Sequence, residues 1–337
     1  MSPLNQRRVL LVLSDEPAAS ETVAIARLLS AAGVRVGIHE AAGAARWFGA
    51  AALEQLLDEG RAIERVASSW EADALVVLGG AEARREWQGR RVELPLVETP
   101  EEGLVAASRW LLPCLLRTLS GSPWKSRRLL VTAGPTVEHF DAVRFLSNPS
   151  SGKMGYALAE AAWIAGAEVT LVSGPTALDA PWGVRRLSVT SADEMREAVL
   201  AERYDVVFMA AAVSDYRPVE RRVGKVKKGL ETWTLEMERT PDILAELSAS
   251  VVRPELLIGF AAETHDIERY AREKLRAKSL DGIVANDVGA GGAFGSDSNS
   301  VQCYDGAGGA VSFGPAAKRE IAAAIVAWAA GCLARKR

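Results

Sequence analysis

The sequence predicts an α/β fold made of two Rossmann-like parallel-sheet domains, and three observations predict it. Apolar runs of strand length alternate with runs of helix length, the pattern of parallel strands joined by helices. The alternation pauses at "SGSPWKS", residues 120–126, and restarts with "RRLLVTAGPT". The 337 residues also exceed one domain of roughly 100–200. The boundary is accordingly set between a domain at 1–122 and a second at 123–337.

The first domain opens with a strand, "RRVLLVLS". The helix "SETVAIARLLSAAG" follows, with Ser20 as its N-cap and Gly33 as its stop. "VRVGIHE" and "ADALVVLGG" read as further strands, and "EEGLVAASRWLLPCLLRTL" as a helix. "SGSPWKS" has small residues, a proline and no apolar period, as a linker does. In the second domain "RRLLVTAGPT" is a strand. "GKMGYALAEAAWIAGAEVTLVSGPT" is a helix stopped at Gly166 and then a strand. "SADE", residues 191–194, is a capping box in which Ser191 bonds forward and Glu194 back. "YDVVFMAAAVSDY" is a near-continuous apolar strand with a polar end, and "RTPDILAEL" starts a helix with Thr240 as cap and Pro241 at its first position. "ELLIGFAAET" and "LDGIVAND" complete the strands. In doubly wound sheets ligands sit outside the carboxyl ends of strands. Thr132, Ser173, Asp215, Glu263, Thr264, Asn286 and Asp287 fall there. The two halves start with the same order of elements, yet no sequence identity makes them a repeat.

Bulk properties narrow the function. A hydrophobic share of 49% with 25% charged residues is that of an ordinary soluble globular protein. A formal net charge of -3 offers nucleic acid no basic footprint. Cys114, Cys303 and Cys332 lie far apart with no CxxC pair, which argues against zinc and disulfides and for a reducing, cytoplasmic setting. The N-terminal apolar run is short and reads as a strand rather than a signal peptide. "IAAAIVAWAAGCLA" is shorter than the roughly 18 apolar residues of a membrane span, so it reads as a helix packed on a core.

The common nucleotide motifs are absent. No GxGxxG follows "LLVTAG", and "AEVTLVSGPT" puts Ser173 and Gly174 where a dinucleotide site wants an acidic residue. Nothing matches a Walker A loop. Tyr270 and Lys274 form a Tyr-x-x-x-Lys pair, without a serine at the usual short distance before it; a nucleotide-binding oxidoreductase remains the rival class. His39, His139 and His265 each lack a local nucleophile partner. What "SNPSSGKMG" offers is a helix start whose free N–H groups and positive dipole end suit an anion. A serine N-cap, worth about 0.5–2 kcal/mol, is the simpler explanation of the serines, but it does not need Asn148. "GKVKK" carries Lys225, Lys227 and Lys228 in a Gly-flanked loop, ordinarily a solvated one. Lys274 and Lys278 stand four apart on one helix face, which suits either an anion between them or plain exposure.

The order of segments carries more than any one of them. "VTAGPTVEHFDAVRFLSNPSSGKMG", "GAEVTLVSGPT", "AAAVSDYRP", "KVKK", "RTPDIL", "IGFAAET", "KLRAKSLDGIVAND" and "FGSDSNSV" occur in sequence over roughly residues 127–330. Together they resemble phosphopantothenate–cysteine ligase, the synthetase half of the bacterial bifunctional coenzyme A biosynthesis flavoprotein. The resemblance implies a C-terminal ligase domain in which 4′-phosphopantothenate attacks the α-phosphate of CTP, giving an acyl-cytidylate and pyrophosphate. The amine of L-cysteine then displaces CMP.

The resemblance also implies the site. Asn148 and Lys225 are the catalytic residues. Met209, Ala210, Ala211, Asp215, Lys225, Pro241, Asp242, Ile243, Leu244, Phe260, Lys274 and Lys278 hold the nucleotide. Arg144, Asn148, Ser150, Ser151, Gly152 and Lys153 face the substrate's phosphate and acyl group. Mg²⁺ comes with the phosphates of CTP and not through a protein cage. Family members dimerise, so a homodimer is expected, with neither nucleic acid nor membrane as partner.

Two departures stand out. Val137 and His139 replace the Arg and Pro of many members. The family's FMN-binding decarboxylase domain carries a Pro-Ala-Met-Asn segment and a catalytic Cys. Here that segment is missing, and Cys114 lies in an apolar helix. Residues 1–122 are therefore expected to be degenerate or unrelated and no FMN is expected. The alternatives are a bifunctional enzyme that also decarboxylates phosphopantothenoylcysteine with FMN, and an inactive paralogue.

Overall fold

In a computed structural model the chain divides into two compact units, Met1–Gly121 and Ser122–Arg337. The structure describes residues 4–14, 22–41, 43–44, 50–58, 62–78, 81–91, 93–97, 107–121, 123–227, 233–263, 265–287 and 297–336. Ser20, Lys228 and Thr264 lie outside the described residues.

The first unit is a four-stranded parallel sheet in the order β3-β2-β1-β4. Its strands are β1 (Arg8–Leu13), β2 (Arg35–Glu40), β3 (Ile63–Arg65) and β4 (Ala74–Leu78). β1 and β4 are buried almost end to end, as strands covered on both faces must be. The helices are α1 (Thr22–Ala31), α2 (Ala50–Asp58), α3 (Ala81–Arg90) and α4 (Ala107–Leu119). The sequence reading lacked β3, α2 and α3. α3 is strongly polar and shows little apolar periodicity, so its signal was its charges, among them the Arg90–Glu86 pair one turn apart.

The second unit holds an eight-stranded sheet in the order β16-β15-β14-β13-β10-β5-β8-β9. Its parallel strands are β5 (Arg128–Ala133), β8 (Glu168–Ser173), β9 (Arg185–Ser188), β10 (Val206–Met209), β13 (Leu256–Glu263) and β14 (Gly282–Asp287). β15 (Ser298–Asp305) and β16 (Ala310–Ala317) add an antiparallel edge. Two short hairpins stand apart from the sheet: β6 (Val137–His139) with β7 (Phe145–Ser147), and β11 (Tyr216–Pro218) with β12 (Met237–Arg239). α5 (Lys153–Ile164) and α9 (Lys318–Arg335) share one core with the sheet. α6 (Ala192–Leu200), α7 (Ile243–Ala249) and α8 (Ile267–Ala277) belong to a second core. No helix among the described residues is long and apolar enough to cross a membrane.

Three sequence expectations are corrected here. The two units do divide inside the segment read as a linker, between Gly121 and Ser122, but its Trp124 is 1% exposed and belongs to the core of the second unit. The long apolar strand is only four residues, Val206–Met209, because "AAAVSD" leaves the sheet to form a loop. Ser191 does cap α6, accepting from Glu194 N at 3.2 Å, but the Glu194 carboxylate accepts from Thr190 N at 2.6 Å, one residue further back.

An aspartate recurs at the amino ends of the strands. Asp73, just before β4, accepts from Arg8 N at 2.7 Å. Asp205, just before β10, accepts from Arg128 N at 2.8 Å, and Asp281, before β14, from Leu257 N at 2.7 Å. In each case the carboxylate grips the first or second amide of the neighbouring strand.

Candidate active site

Strands β5, β8 and β9 run outward in one direction and β10, β13 and β14 in the other, so the strand order reverses between β5 and β10. Such a switch point opens a crevice at the carboxyl ends. Here the loops leaving β5 and β10 meet: Ala212 N donates to Gly134 O at 2.9 Å and Thr136 N to Ala212 O at 3.2 Å. Three threonine side chains hold the 210–215 loop. The hydroxyl of Thr132 accepts from Ala211 N (3.1 Å) and that of Thr136 from Ser214 N (2.9 Å). Thr240 donates to Ser214 O (2.5 Å).

Asn148 reaches the same loop. Its amide donates to Val213 O at 3.1 Å and, more weakly, to Ala212 O at 3.4 Å. The helix start beyond it is not capped by serine. Gly152 occupies the cap position of α5 at φ 74°, with no side-chain cap bond, and Gly152 N lies 3.4 Å from the Ser150 hydroxyl. A Cβ on Gly152 would stand 2.7 Å from Thr176 Cγ2 and 3.4 Å from the Gly134 backbone. On Gly174 it would come within 1.7 Å of Pro135 O. The small residues of this stretch thus let three loop backbones pack against one another at the mouth of the crevice. Ser150 and Ser151 are half-buried there, and Lys153 pairs with Asp297 at 2.6 Å.

A second group of expected residues converges across β13, α7 and α8. Asp242, not Thr240, caps α7, accepting from Ala245 N at 3.0 Å; the helix begins at Ile243 and Pro241 precedes it. Thr240 lies two residues before that cap and donates its hydroxyl to Ser214 O instead. Lys278 meets Asp242 at 2.8 Å, and Lys274 donates to Phe260 O at 3.0 Å. The two ammonium groups each have a protein partner, so neither exposure alone nor a bare anion site describes them. Burial, then repulsion from Lys278, pushes the Lys274 pKa below the usual lysine value, against attraction from Glu263, Asp215 and Asp242. Burial works to raise the Asp242 carboxyl, but Lys278, Ala245 N and Lys274 hold it below the usual carboxylate range. Met209, Ile243 and Leu244 turn their side chains into the core. Ala210 and Ala211 are half-buried, and Asp215 is exposed.

Lys225 sits exposed in the loop between β11 and β12, whose stems close through Val219 N to Glu236 O at 3.1 Å. Arg144 is taken up by Asp141, at 3.2 Å, and by Val226 O, at 3.4 Å. Val137 and His139 lie on β6, where the His139 ring packs edge-on against Phe145. Sequence reasoning missed Asp141, Thr136 and Gly174, whose roles depend on residues distant in the chain. It missed Phe140 and Trp233 for the same reason: their rings meet across the two hairpins at 5.4 Å. No group of three or more His, Cys, Asp or Glu able to hold a metal occurs among the described residues.

Residues 124–332 match the family described as DNA/pantothenate metabolism flavoprotein C-terminal domain. The coenzyme A biosynthesis bifunctional protein CoaBC of Bacillus subtilis (strain 168) is 51% identical over 189 residues, 55% of this chain and 46% of that protein. The crystal structure of the C-terminal domain of a CoaBC protein superposes with a TM-score of 0.54 at 44% identity, covering 63% of this chain and 97% of that one. A DNA/pantothenate metabolism flavoprotein from Streptococcus pneumoniae shares the fold, with a TM-score of 0.51 at 23% identity over 60% of this chain and 98% of the other. The chain spans about half the length of the curated relatives it matches.

These likenesses correct one expectation. FMN was set aside because the Pro-Ala-Met-Asn segment and a catalytic cysteine are missing, yet the matching family is one of flavoproteins, which implies FMN binding. With more than half its length matched, the chain belongs to the DNA/pantothenate metabolism flavoprotein family, through that family's C-terminal domain.

Proposed function

We propose that the protein serves coenzyme A biosynthesis and that its second unit is a ligase joining 4′-phosphopantothenate to L-cysteine through an acyl-cytidylate. The observation that carries this is the convergence at one switch point of Asn148, the 210–215 loop and the Gly152 helix start. The Asp242–Lys278 and Lys274 group completes the arrangement for a triphosphate. Two steps follow. The pantothenate carboxylate attacks the α-phosphorus of CTP and pyrophosphate leaves; the cysteine amine then attacks the acyl carbon and CMP leaves.

Lys225 offsets negative charge growing on the α-phosphate, an interaction strongest in the transition state. The Gly152 helix start takes a phosphate or acyl-phosphate oxygen, with Ser150, Ser151 and Lys153 next to it in the chain, and Arg144 contacts the substrate from the β6–β7 hairpin. Asn148 donates to the mixed anhydride from beside Val213. Mg²⁺ arrives with the triphosphate. Exposed Phe145, Leu146 and Val143 on one hairpin, with Tyr216, Val219 and Trp233 on the other, support a homodimer through these hairpins.

A second reading is favoured by the flavoprotein family and the bifunctional relatives: the protein also decarboxylates phosphopantothenoylcysteine with FMN. When bound, the flavin supplies the electron-accepting chemistry of that reaction. Carboxyl ends of parallel strands are where such a group sits. In the first unit these ends carry Glu40 and Ser14, whose hydroxyl donates to Leu78 O at 2.7 Å. Pyrophosphate release from the four nucleoside triphosphates, with phosphopantothenate and with or without cysteine, tests the ligase. Release with CTP is expected, and no release with any of the four refutes it. A flavin absorption spectrum and CO₂ release from phosphopantothenoylcysteine test the second activity.

A further inference from the structure

We infer that Asp141 is a positioning residue that sets Lys225, by clamping the Lys225 loop to the turn of the β6–β7 hairpin. The inference rests on the ligase reading for the role of Lys225, but the clamp itself is a matter of geometry. The Asp141 side chain is fully buried in a turn whose neighbours, Ala142 and Val143, are exposed. One carboxylate oxygen accepts from Val143 N and Arg144 N, both at 2.7 Å, which forms the turn. The other accepts from Val226 N at 3.2 Å, across 85 residues of chain, and from the Arg144 guanidinium at 3.2 Å. Arg144 then returns to Val226 O at 3.4 Å, so both backbone groups of the residue after Lys225 are engaged by one Asp–Arg pair.

Two further residues of the loop, Arg222 and Trp233, dock on the same turn. Arg222 N donates to Phe140 O at 3.0 Å. From the far arm Trp233 packs edge-on against Phe140 and lies under the Arg144 guanidinium at 5.8 Å. Both arms of the loop therefore rest on residues 140–144, and Asp141 is the only one of those residues with a carboxylate. Burial acts to raise its pKa, but the Val143, Arg144 and Val226 amides and the Arg144 charge keep it below the usual carboxylate range, so it stays ionised as the clamp requires. An exposed lysine on a long loop has many positions open to it. Fixing the adjacent residue by both N–H and C=O removes most of them before substrate arrives, and positioning of this kind governs rate strongly.

The test uses the full chain. Asp141→Asn keeps the shape and one acceptor but removes the charge and the second acceptor. Expected are a kcat lower by about tenfold to a hundredfold, KM for CTP within about threefold, and a lowered thermal midpoint, because a buried acceptor and the charge facing Arg144 are lost. In a Lys225→Ala background the same substitution is expected to cost less than about threefold, because the group it positions is gone. Hydrogen exchange at the Val226 amide should quicken at least about tenfold. Val226→Pro removes the N–H that reaches Asp141 while leaving the turn intact. It should reproduce the kcat loss, and it decides the matter if Asp141→Asn fails to fold. An equal loss with and without Lys225, or wild-type turnover with unchanged exchange at Val226, overturns the inference. If Lys225→Ala itself turns over like wild type, the role of Lys225 falls, and exchange at Val226 alone then decides whether Asp141 clamps the loop.

Discussion

Replacing Gly152 with alanine separates two costs that the structure superimposes at one atom. Gly152 holds φ 74°, a left-handed conformation that costs an L-residue about 1–2 kcal/mol. The new Cβ would also stand 2.7 Å from Thr176 Cγ2. Relieving such an overlap in a packed site costs about 1–3 kcal/mol. Against these, alanine narrows the unfolded ensemble and returns about 0.4–1 kcal/mol. The net expectation for Gly152→Ala is a destabilisation of about 1–5 kcal/mol, read from urea midpoints at constant slope. Adding Thr176→Ser removes Cγ2 while keeping the hydroxyl that donates to Tyr156 at 3.0 Å, so the steric part should vanish and the conformational part remain. The pair should therefore couple by about 1 kcal/mol or more in a double-mutant cycle. Gly174→Ala is the contrasting case. Its clash is with backbone, 1.7 Å from Pro135 O, and no side-chain substitution should rescue it. A neutral Gly152→Ala, or purely additive effects with Thr176→Ser, would refute this account of the crevice mouth.

Three further outcomes follow from the site. Lys225→Ala should lower kcat by roughly 10²–10³ with unchanged thermal stability, and Lys227→Ala should be milder; small, equal effects in steady-state assays would reduce the loop to a charged surface. Asn148→Asp exchanges two N–H donors for a carboxylate facing the carbonyls of Ala212 and Val213, so ligation should collapse while circular dichroism stays native. Lys274 has a native pKa below its unfolded value, so the unfolded chain binds more protons between the lowered pKa and the ordinary value. Its linked stability should thus rise with pH across that alkaline window, by at most about 1.4 kcal/mol per pH unit, and pH-dependent urea melts of Lys274→Met should lack that slope.

The elements legible in the sequence are those whose signal is local. β5, β8, β13 and α5 are continuous apolar or periodic runs, and each could be read without its neighbours. β6, β7, β11 and β12 are three residues each, too short for an alternation to register, yet they carry both loops that shape the site. β15 did leave a signal, an alternation of exposed and buried positions through "SNSVQCYD", that a reading set for parallel strands passed over. The cap of α7 is ambiguous in the sequence because Thr-Pro-Asp offers two capping residues, and the helix starts late enough for Asp242 to take Ala245 N. Asp242 and Phe260 come from the resemblance, Lys274 and Lys278 from their spacing as well, and the fold brings the four together. Asp141 could not have been read at all, since its partner on the Lys225 loop lies 85 residues away.

The aspartates at Asp73, Asp205 and Asp281 give the two ends of each sheet separate duties. A one-residue slip of a buried strand would turn its apolar face to the wrong side, and each carboxylate opposes that slip where its strand begins. Alignment thus has an anchor on the side away from the crevice. The carboxyl ends are tied by bonds of their own, such as Ala211 N to Thr132 and Ala212 N to Gly134 O, so a change in their loops leaves the amino-end anchors in place. A grafted loop would inherit strands already held in place from the opposite side.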